Sequence, residues 1–191
     1  MFAAALSLLA LAHMQAAFAD AETGRRKAET CVACHGPGGN SKNPAVPTLS
    51  GQPQQFIVTQ LFMFREGKRK DAQMSPFAAN LSNADLNDLA AYFSAQPHAP
   101  PAQVTAPEKA AAGRRIAEQH NCVACHAGNL MGQQHIPRLA GQQAEYLRTQ
   151  LRGFKASTRF DMDGNMTSAA QALTDADIDI LADYLAGLGA P

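Results

Sequence analysis

Two pentapeptides carry the most specific chemistry in this chain. Cys31-Val32-Ala33-Cys34-His35 and Cys122-Val123-Ala124-Cys125-His126 are identical and stand 91 residues apart. Two residues between the thiols place both sulfurs on one side of a short helical turn, and the histidine that follows can turn its imidazole toward whatever the sulfurs hold. This pattern reads as c-type haem attachment: each thiol adds to a haem vinyl group to make a thioether, and the histidine ligates the iron. A zinc site fits poorly, because 87 residues part the two cysteine pairs and each pair has its own histidine. A redox dithiol or a disulfide accounts for a single Cys-x-x-Cys in an exported protein, but not for two identical copies in corresponding places. The reading is two covalently attached haem c groups, anchored by Cys31, Cys34, Cys122 and Cys125, with His35 and His126 as iron ligands.

The sixth iron ligand must come from elsewhere. Candidates are Met63, Met74, Met131, Met162, Met166, His98, His120 and His135. Met74 lies seven residues before Leu81 and Met166 seven before Leu173, and no other candidate has a like residue in the other half. Met162 sits in a small insertion beside Met166 and competes for the same role, while the Leu-Phe-Met-Phe setting of Met63 reads as core. His/Met ligation raises the haem potential and fills both axial positions, leaving no open iron site for oxygen or peroxide. The carbonyls of Pro47 and Pro137, 12 and 11 residues after their histidines, can accept the Nδ1–H of His35 and His126, fixing each ring.

Positioning these groups requires a frame, and the frame is duplicated. Gly24-Arg25-Arg26 returns as Gly113-Arg114-Arg115, and Pro47-x-Leu49-x-Gly51-Gln52 as Pro137-x-Leu139-x-Gly141-Gln142. Gln60-Leu61 and Phe64 return as Gln150-Leu151 and Phe154; Leu81, Asp85, Leu89-Ala90 and Tyr92 return as Leu173, Asp177, Leu181-Ala182 and Tyr184. Two copies make a duplicated domain rather than a solenoid. Each copy predicts three helices: one leading into CVACH, one over 54–66 or 142–155, and one after the N-caps Ser82 or Thr174. In the third, Leu86, Leu89, Ala90 and Phe93, like Ile178, Leu181, Ala182 and Leu185, follow helical spacing. Strand-like alternation is absent, so the fold class is all-α. Gly24 and Gly113 permit close packing against Tyr92 and Tyr184. Units of roughly 85 residues with this much loop have thin cores, and a flat apolar cofactor gives each one something to pack around.

The expected organisation is a signal peptide over 1–19, a first haem domain over 20–96, a Pro-rich linker over 97–107 and a second haem domain over 108–191. The leader rests on the short apolar run from Phe2 to Ala12 and the Ala17-Phe18-Ala19 cleavage pattern; no basic residue precedes its apolar core, which departs from the usual pattern. Composition narrows the function classes. With 16 basic and 16 acidic residues the polypeptide has no formal net charge, which gives no support for nucleic-acid binding. Apolar residues at 46% and charged residues at 17% fit a folded protein rather than a disordered one. Two haems add four propionates and two irons, and shift the holoprotein toward net negative charge.

Taken together, the two CVACH motifs, the P-x-L-x-G-Q segments, the Met-x6-Leu-[ST]-x2-[DE] segments and the Leu-Ala-x-Tyr ends resemble the dihaem cytochrome c4 family over essentially the whole mature chain. The resemblance implies two tandem class I cytochrome c domains with haems near the domain interface, and no enzymatic turnover. It implies Cys31, Cys34, His35 and Met74 at one haem and Cys122, Cys125, His126 and Met166 at the other. It also implies a periplasmic electron carrier, peripherally associated with the membrane, relaying electrons from respiratory donors to a terminal oxidase or respiratory complex. The rival is a cytochrome subunit of a periplasmic dehydrogenase of the sulfide or thiosulfate type. A peroxidase or gas sensor needs an open or displaceable ligand, which His/Met ligation does not leave.

Overall fold

The structure is a computed structural model that describes residues 20–101 and 103–189; the expected signal peptide, 1–19, lies outside the described residues. The first half contains α1 (Ala21–Lys27), α2 (Val32–His35), α3 (Gln54–Arg65), α4 (Met74–Ala78) and α5 (Asn83–Ser94). The second repeats the order with α6 (Pro107–Gln119), α7 (Cys122–His126), α8 (Ala144–Lys155), α9 (Asn165–Gln171) and α10 (Asp175–Ala186). No strand forms among the described residues; Gln133 and Ile136 make one isolated bridge.

The first helix of each half lies across the last, α1 on α5 and α6 on α10. A Cβ on Gly24 would overlap the carbonyl of Asp88 and the Cβ of Tyr92, and one on Gly113 would overlap the Cβ of Tyr184. The expected close approach at these glycines is therefore what the structure has. Ser82 and Thr174 cap α5 and α10 in full capping boxes, closed by Asp85 and Asp177. Lys27 adds ion pairs of 2.7 Å to both Asp85 and Asp88, tying α1 to the start of α5.

The interiors are small. In the first half Ala28, Ile57, Leu89, Ala90 and Phe93 form the buried cluster; in the second, Leu130, Leu147, Leu173, Ile178, Leu181, Tyr184 and Leu185 are its larger members. Met63 is 3% exposed, as expected of a core residue, whereas Met162 is 56% exposed.

Two elements differ from expectation. The segments carrying Met74 and Met166 lie outside the three helices predicted for each copy, yet form α4 and α9. Each is too short to show a hydrophobic period and is started by a side chain. Asp71 accepts from the N–H groups of Gln73 and Met74, and Asp161 from those of Met166 and Thr167. The last linker proline, Pro107, is the first residue of α6, where its missing N–H costs nothing. The linker is also held down: Thr105 Oγ1 and Gln103 Nε2 donate to Asp183 O, and Asn40 binds Pro97 and Ala99.

After each histidine the chain turns through left-handed conformations. The first half meets this with Gly36, Gly38 and Gly39; the second places Ala127, Asn129 and Leu130 at the same positions, with φ of 62°, 57° and 61°. Ala127, with ψ 173°, stands in a region almost confined to glycine, at a cost of about 1–3 kcal/mol.

Two substitutions with opposite signs follow. Gly113→Ala should destabilise the holoprotein by about 1–3 kcal/mol, because overpacking at Tyr184 outweighs the better helix propensity of alanine. Ala127→Gly should stabilise it by about 1 kcal/mol, relief of strain exceeding the added freedom of the unfolded chain. Thermal midpoints measured by calorimetry check both; a raised midpoint for Gly113→Ala or a lowered one for Ala127→Gly would contradict this account.

Candidate haem-attachment sites

The two CVACH segments fold alike. Cys31 to His35 and Cys122 to His126 each make one tight helical turn, with Cys34 and Cys125 exposed, Cys31 and Cys122 half-buried, and the histidines 5% and 4% exposed. All four thiols are free of disulfides. Burial pushes the Cys31 and Cys122 thiols above their ordinary range.

The buried imidazoles are oriented by the backbone. His35 Nδ1 stands 2.8 Å from Pro47 O, and His126 Nδ1 stands 2.9 Å from Pro137 O. A carbonyl only accepts, so Nδ1 carries the proton and Nε2 keeps its lone pair for a metal. Burial lowers the pKa of both histidines and the carbonyl bonds partly offset this, so the neutral form that ligates iron is favoured. These features fit covalent haem: thiols free to react, and a neutral imidazole with one nitrogen committed and the other free.

Met74 and Met166 come from separate elements, at the starts of α4 and α9. Both are half-buried, and both have their N–H held by an aspartate, at 2.8 Å and 2.9 Å. Met162 has no such counterpart; it lines a groove with Val58, Phe62 and Leu86 of the first half. The other candidates separate as well. His98 binds Ser50 O, and His135 lies 3.7 Å from Asp163.

Between the two sites the halves meet through bonds exchanged in reciprocal pairs. Gln142 accepts from Thr48 N at 2.7 Å and donates to Thr48 O at 2.9 Å. Gln52 does the same at Arg138, with both bonds 2.9 Å. Phe56 N donates to Gln134 O, and Tyr146 N to Pro44 O. Thr48 corresponds to Arg138, Gln52 to Gln142, Phe56 to Tyr146 and Pro44 to Gln134, so each contact recurs between the counterparts of its two residues, with the halves exchanged. This is the signature of a two-fold contact.

At its centre lie Arg69 and Arg159. Each stacks on its own half's phenylalanine, 4.5 Å from the Phe64 ring centre and 4.4 Å from that of Phe154. Arg69 donates to Gln60 at 2.6 Å, to Gln150 at 2.9 Å and to Tyr146 at 3.1 Å. Arg159 donates to Gln150 and, at 3.4 Å, to Gln60. Sharing acceptors holds the two cations within roughly 6 Å, which costs about 3 kcal/mol of repulsion at an effective dielectric near 20. Burial, with Arg69 adding to it, brings the Arg159 pKa down to about 10. Burial raises the Tyr146 phenol while the two arginines lower it, and the net is below its usual value.

Sequence reasoning passed over these arginines. The signal was present: Gln60 and Phe64 were matched to Gln150 and Phe154, and Arg69 matches Arg159 at the same offset of 90.

The chain matches the cytochrome c family twice, over residues 21–96 and 110–189. It is 38% identical to cytochrome c4 of Pseudomonas aeruginosa over 193 residues, covering 96% of this chain and 94% of that one. It is 37% identical to a thiosulfate dehydrogenase electron acceptor of Thiomonas intermedia over 172 residues, covering 84% and 79%. The crystal structure of reduced recombinant cytochrome c4 from Pseudomonas stutzeri superposes with a TM-score of 0.82 at 34% identity, covering 90% of this chain and all of that one (100%). With two matched halves, two oriented CVACH histidines and full-length relatives, the chain belongs to the cytochrome c family and, within it, to the dihaem cytochromes c4, as an electron-carrier cytochrome with two covalently bound haem c groups.

Proposed function

We propose that the chain is a periplasmic relay, passing electrons one at a time from a respiratory donor through one haem to the other and on to a terminal oxidase or respiratory complex, without substrate turnover of its own. The observation that carries this reading is the matched pair of buried, carbonyl-oriented histidines, with an aspartate-capped methionine in the corresponding place of each half; filling both axial positions, they would leave each iron closed. When bound, haem supplies reversible one-electron Fe(II)/Fe(III) chemistry with no bond made or broken.

In this reading Cys31 and Cys34 hold one haem and Cys122 and Cys125 the other; His35 with Met74, and His126 with Met166, are the axial ligands. The haem units are 20–96 and 108–191, and residues 1–19 direct export. No described helix is long and apolar enough to cross a membrane; membrane association in this reading is peripheral. The chain's own contribution is positional. The Pro47 and Pro137 carbonyls hold the imidazoles, and Asp71 and Asp161 fix the turns that present the methionines. A site whose ligands do not move on reduction needs little reorganisation.

A second reading is favoured by the Thiomonas intermedia relative, named for accepting electrons from thiosulfate dehydrogenase. Here the chain is the redox partner or subunit of such an enzyme in the periplasm.

Two experiments test these assignments. Met166→Ala should remove one haem's methionine-to-Fe(III) charge-transfer band while Met162→Ala leaves both; the reverse result would move the ligand to Met162. Mild-detergent pull-down from native membranes, followed by haem staining, should recover the cytochrome with an oxidase or respiratory complex. A catalytic dehydrogenase chain at fixed stoichiometry would establish the second reading instead. Rapid CO binding by the reduced protein at neutral pH would overturn the closed sites.

A further inference from the structure

Between their ends, the segments that carry Met74 and Met166 bury little apolar surface. Ala78 is the buried residue of α4 and Ala170 that of α9. Phe77 and Phe160, the aromatic side chains of these segments, are 61% and 53% exposed, so neither is an anchor. Segments with so few buried contacts open locally at a lower free energy than global unfolding. What keeps each methionine in place must therefore be largely polar.

Both ends of each segment stand on one turn of one helix. Arg69 N donates to Met63 O at 2.9 Å and Arg159 N to Gly153 O at 3.1 Å, in the last turns of α3 and α8. The far ends return to the same turns through the final residue of each helix. Arg65 Nη1 donates to Leu81 O at 2.9 Å, 16 residues along, and Lys155 Nζ to Leu173 O at 2.6 Å, 18 residues along. Loops whose ends meet in this way are compact units. Arg65 and Lys155 are counterparts, at the offset of 90 that relates Gln60 to Gln150 and Phe64 to Phe154. A cation that ends a helix is ordinarily solvated or paired with a carboxylate. Lys155 makes no ion pair among the described residues. Both cations are half-buried, and both are committed to the carbonyl directly before the N-cap of α5 or α10. A second bond fastens each juncture: Asn83 Oδ1 accepts from Arg65 at 3.0 Å, and Gln171 Nε2 donates to Lys155 O at 3.0 Å.

We propose that Arg65 and Lys155 are positioning residues for the axial methionines: each closes its own half's loop, and its loss lets Met74 or Met166 exchange with external ligands. One end of each loop is held by backbone alone, which most residue types allow; the other depends on the side chain at 65 or 155. A bond from a charged donor to a carbonyl is among the stronger polar contacts, and here it stands in for apolar anchoring. The two residues act independently, because each bond lies within one half. A segment fastened at both ends keeps its thioether in place in both oxidation states, as a carrier requires. This role rests on the dihaem reading with His/Met ligation.

The test uses the oxidised holoprotein with both haems loaded, and excess cyanide as the external ligand. Loss of the methionine-to-Fe(III) charge-transfer band then reports how often each methionine lets go, one phase per haem. Arg65→Leu should speed one phase by about tenfold, the scale of a bond from a charged donor, and Lys155→Leu the other. If the two phases coincide in the parent, each variant splits off half of the band's loss. Arg65→Lys and Lys155→Arg, which exchange the residues of the two halves, should leave both phases near their parent rates. Acceleration of both phases by one variant, of the same phase by both, or of neither overturns the role. So does an acceleration by the conservative variants equal to that of the leucine variants. Should a leucine variant fail to hold both haems, Arg65→Gln and Lys155→Gln, with shorter neutral side chains, decide by the same phases. An unsubstituted protein without the band would instead refute the His/Met reading, so the two failures are distinguishable.

Discussion

Each half has fewer apolar side chains than its helices need to close around one another, and that shortage governs the structure. The first half's buried cluster has one aromatic ring and a handful of aliphatic groups. Interiors pack to crystal density, so a frame with so little filling must either collapse or enclose something else. A haem is a large, flat, apolar body, and its covalent attachment means the enclosing chain never has to recapture it. The crossing of first and last helix at Gly24 and Gly113 becomes intelligible in this light. Backbone-to-side-chain contact at those glycines draws the ends of each unit together without spending apolar side chains that the haem faces require.

The second consequence concerns the polar groups. Segments that wrap a cofactor cannot satisfy their backbone by regular pairing, and buried N–H and C=O groups left alone are costly. Here the solution is mutual. The carbonyl of Pro47 is spent on His35, and the next residue, Thr48, has both its backbone groups met by Gln142; Gln52 repays Arg138 in the same form. The histidine tether and the contact between halves are thus neighbours on one segment. Displacing the halves would disturb the carbonyls that orient His35 and His126, so the relation of the halves and the orientation of both histidines rest on a single set of bonds.

Much of this was legible in the residues. The CVACH pairs, the N-caps at Ser82 and Thr174, the close-packing glycines and the proline carbonyls each depend on local residue type at fixed spacing, and each is where the sequence placed it. The short helices at Met74 and Met166 were not, because five or seven residues cannot display a period, and their start depends on an aspartate several residues upstream. The arginine pair was missed for a different reason. An isolated Arg69 reads as a solvated charge, and only the meeting of Gln60 with Gln150 in space turns it into a half-buried neighbour of Arg159.

Duplication gives two equal frames, but the proposed relay needs unequal haems, and the side chains differ at particular places. The backbone keeps its course after each histidine although Gly36, Gly38 and Gly39 give way to Ala127, Asn129 and Leu130. Leu130, 2% exposed, contributes its side chain to the second half's core, so strain in the turn is offset by apolar filling in that half only. On the interface Thr48 is replaced by Arg138, a cation 3% exposed, whose pKa burial lowers to about 10 and whose guanidinium holds Ser50 O and Ala140 O. That residue follows Pro137 directly, one peptide from the carbonyl that orients His126. Neutral in one half and cationic in the other, the position separates the surroundings of two chemically identical cofactors while leaving the geometry of both tethers the same. Symmetry of the backbone serves attachment and contact; asymmetry of the side chains is what can give electrons a direction.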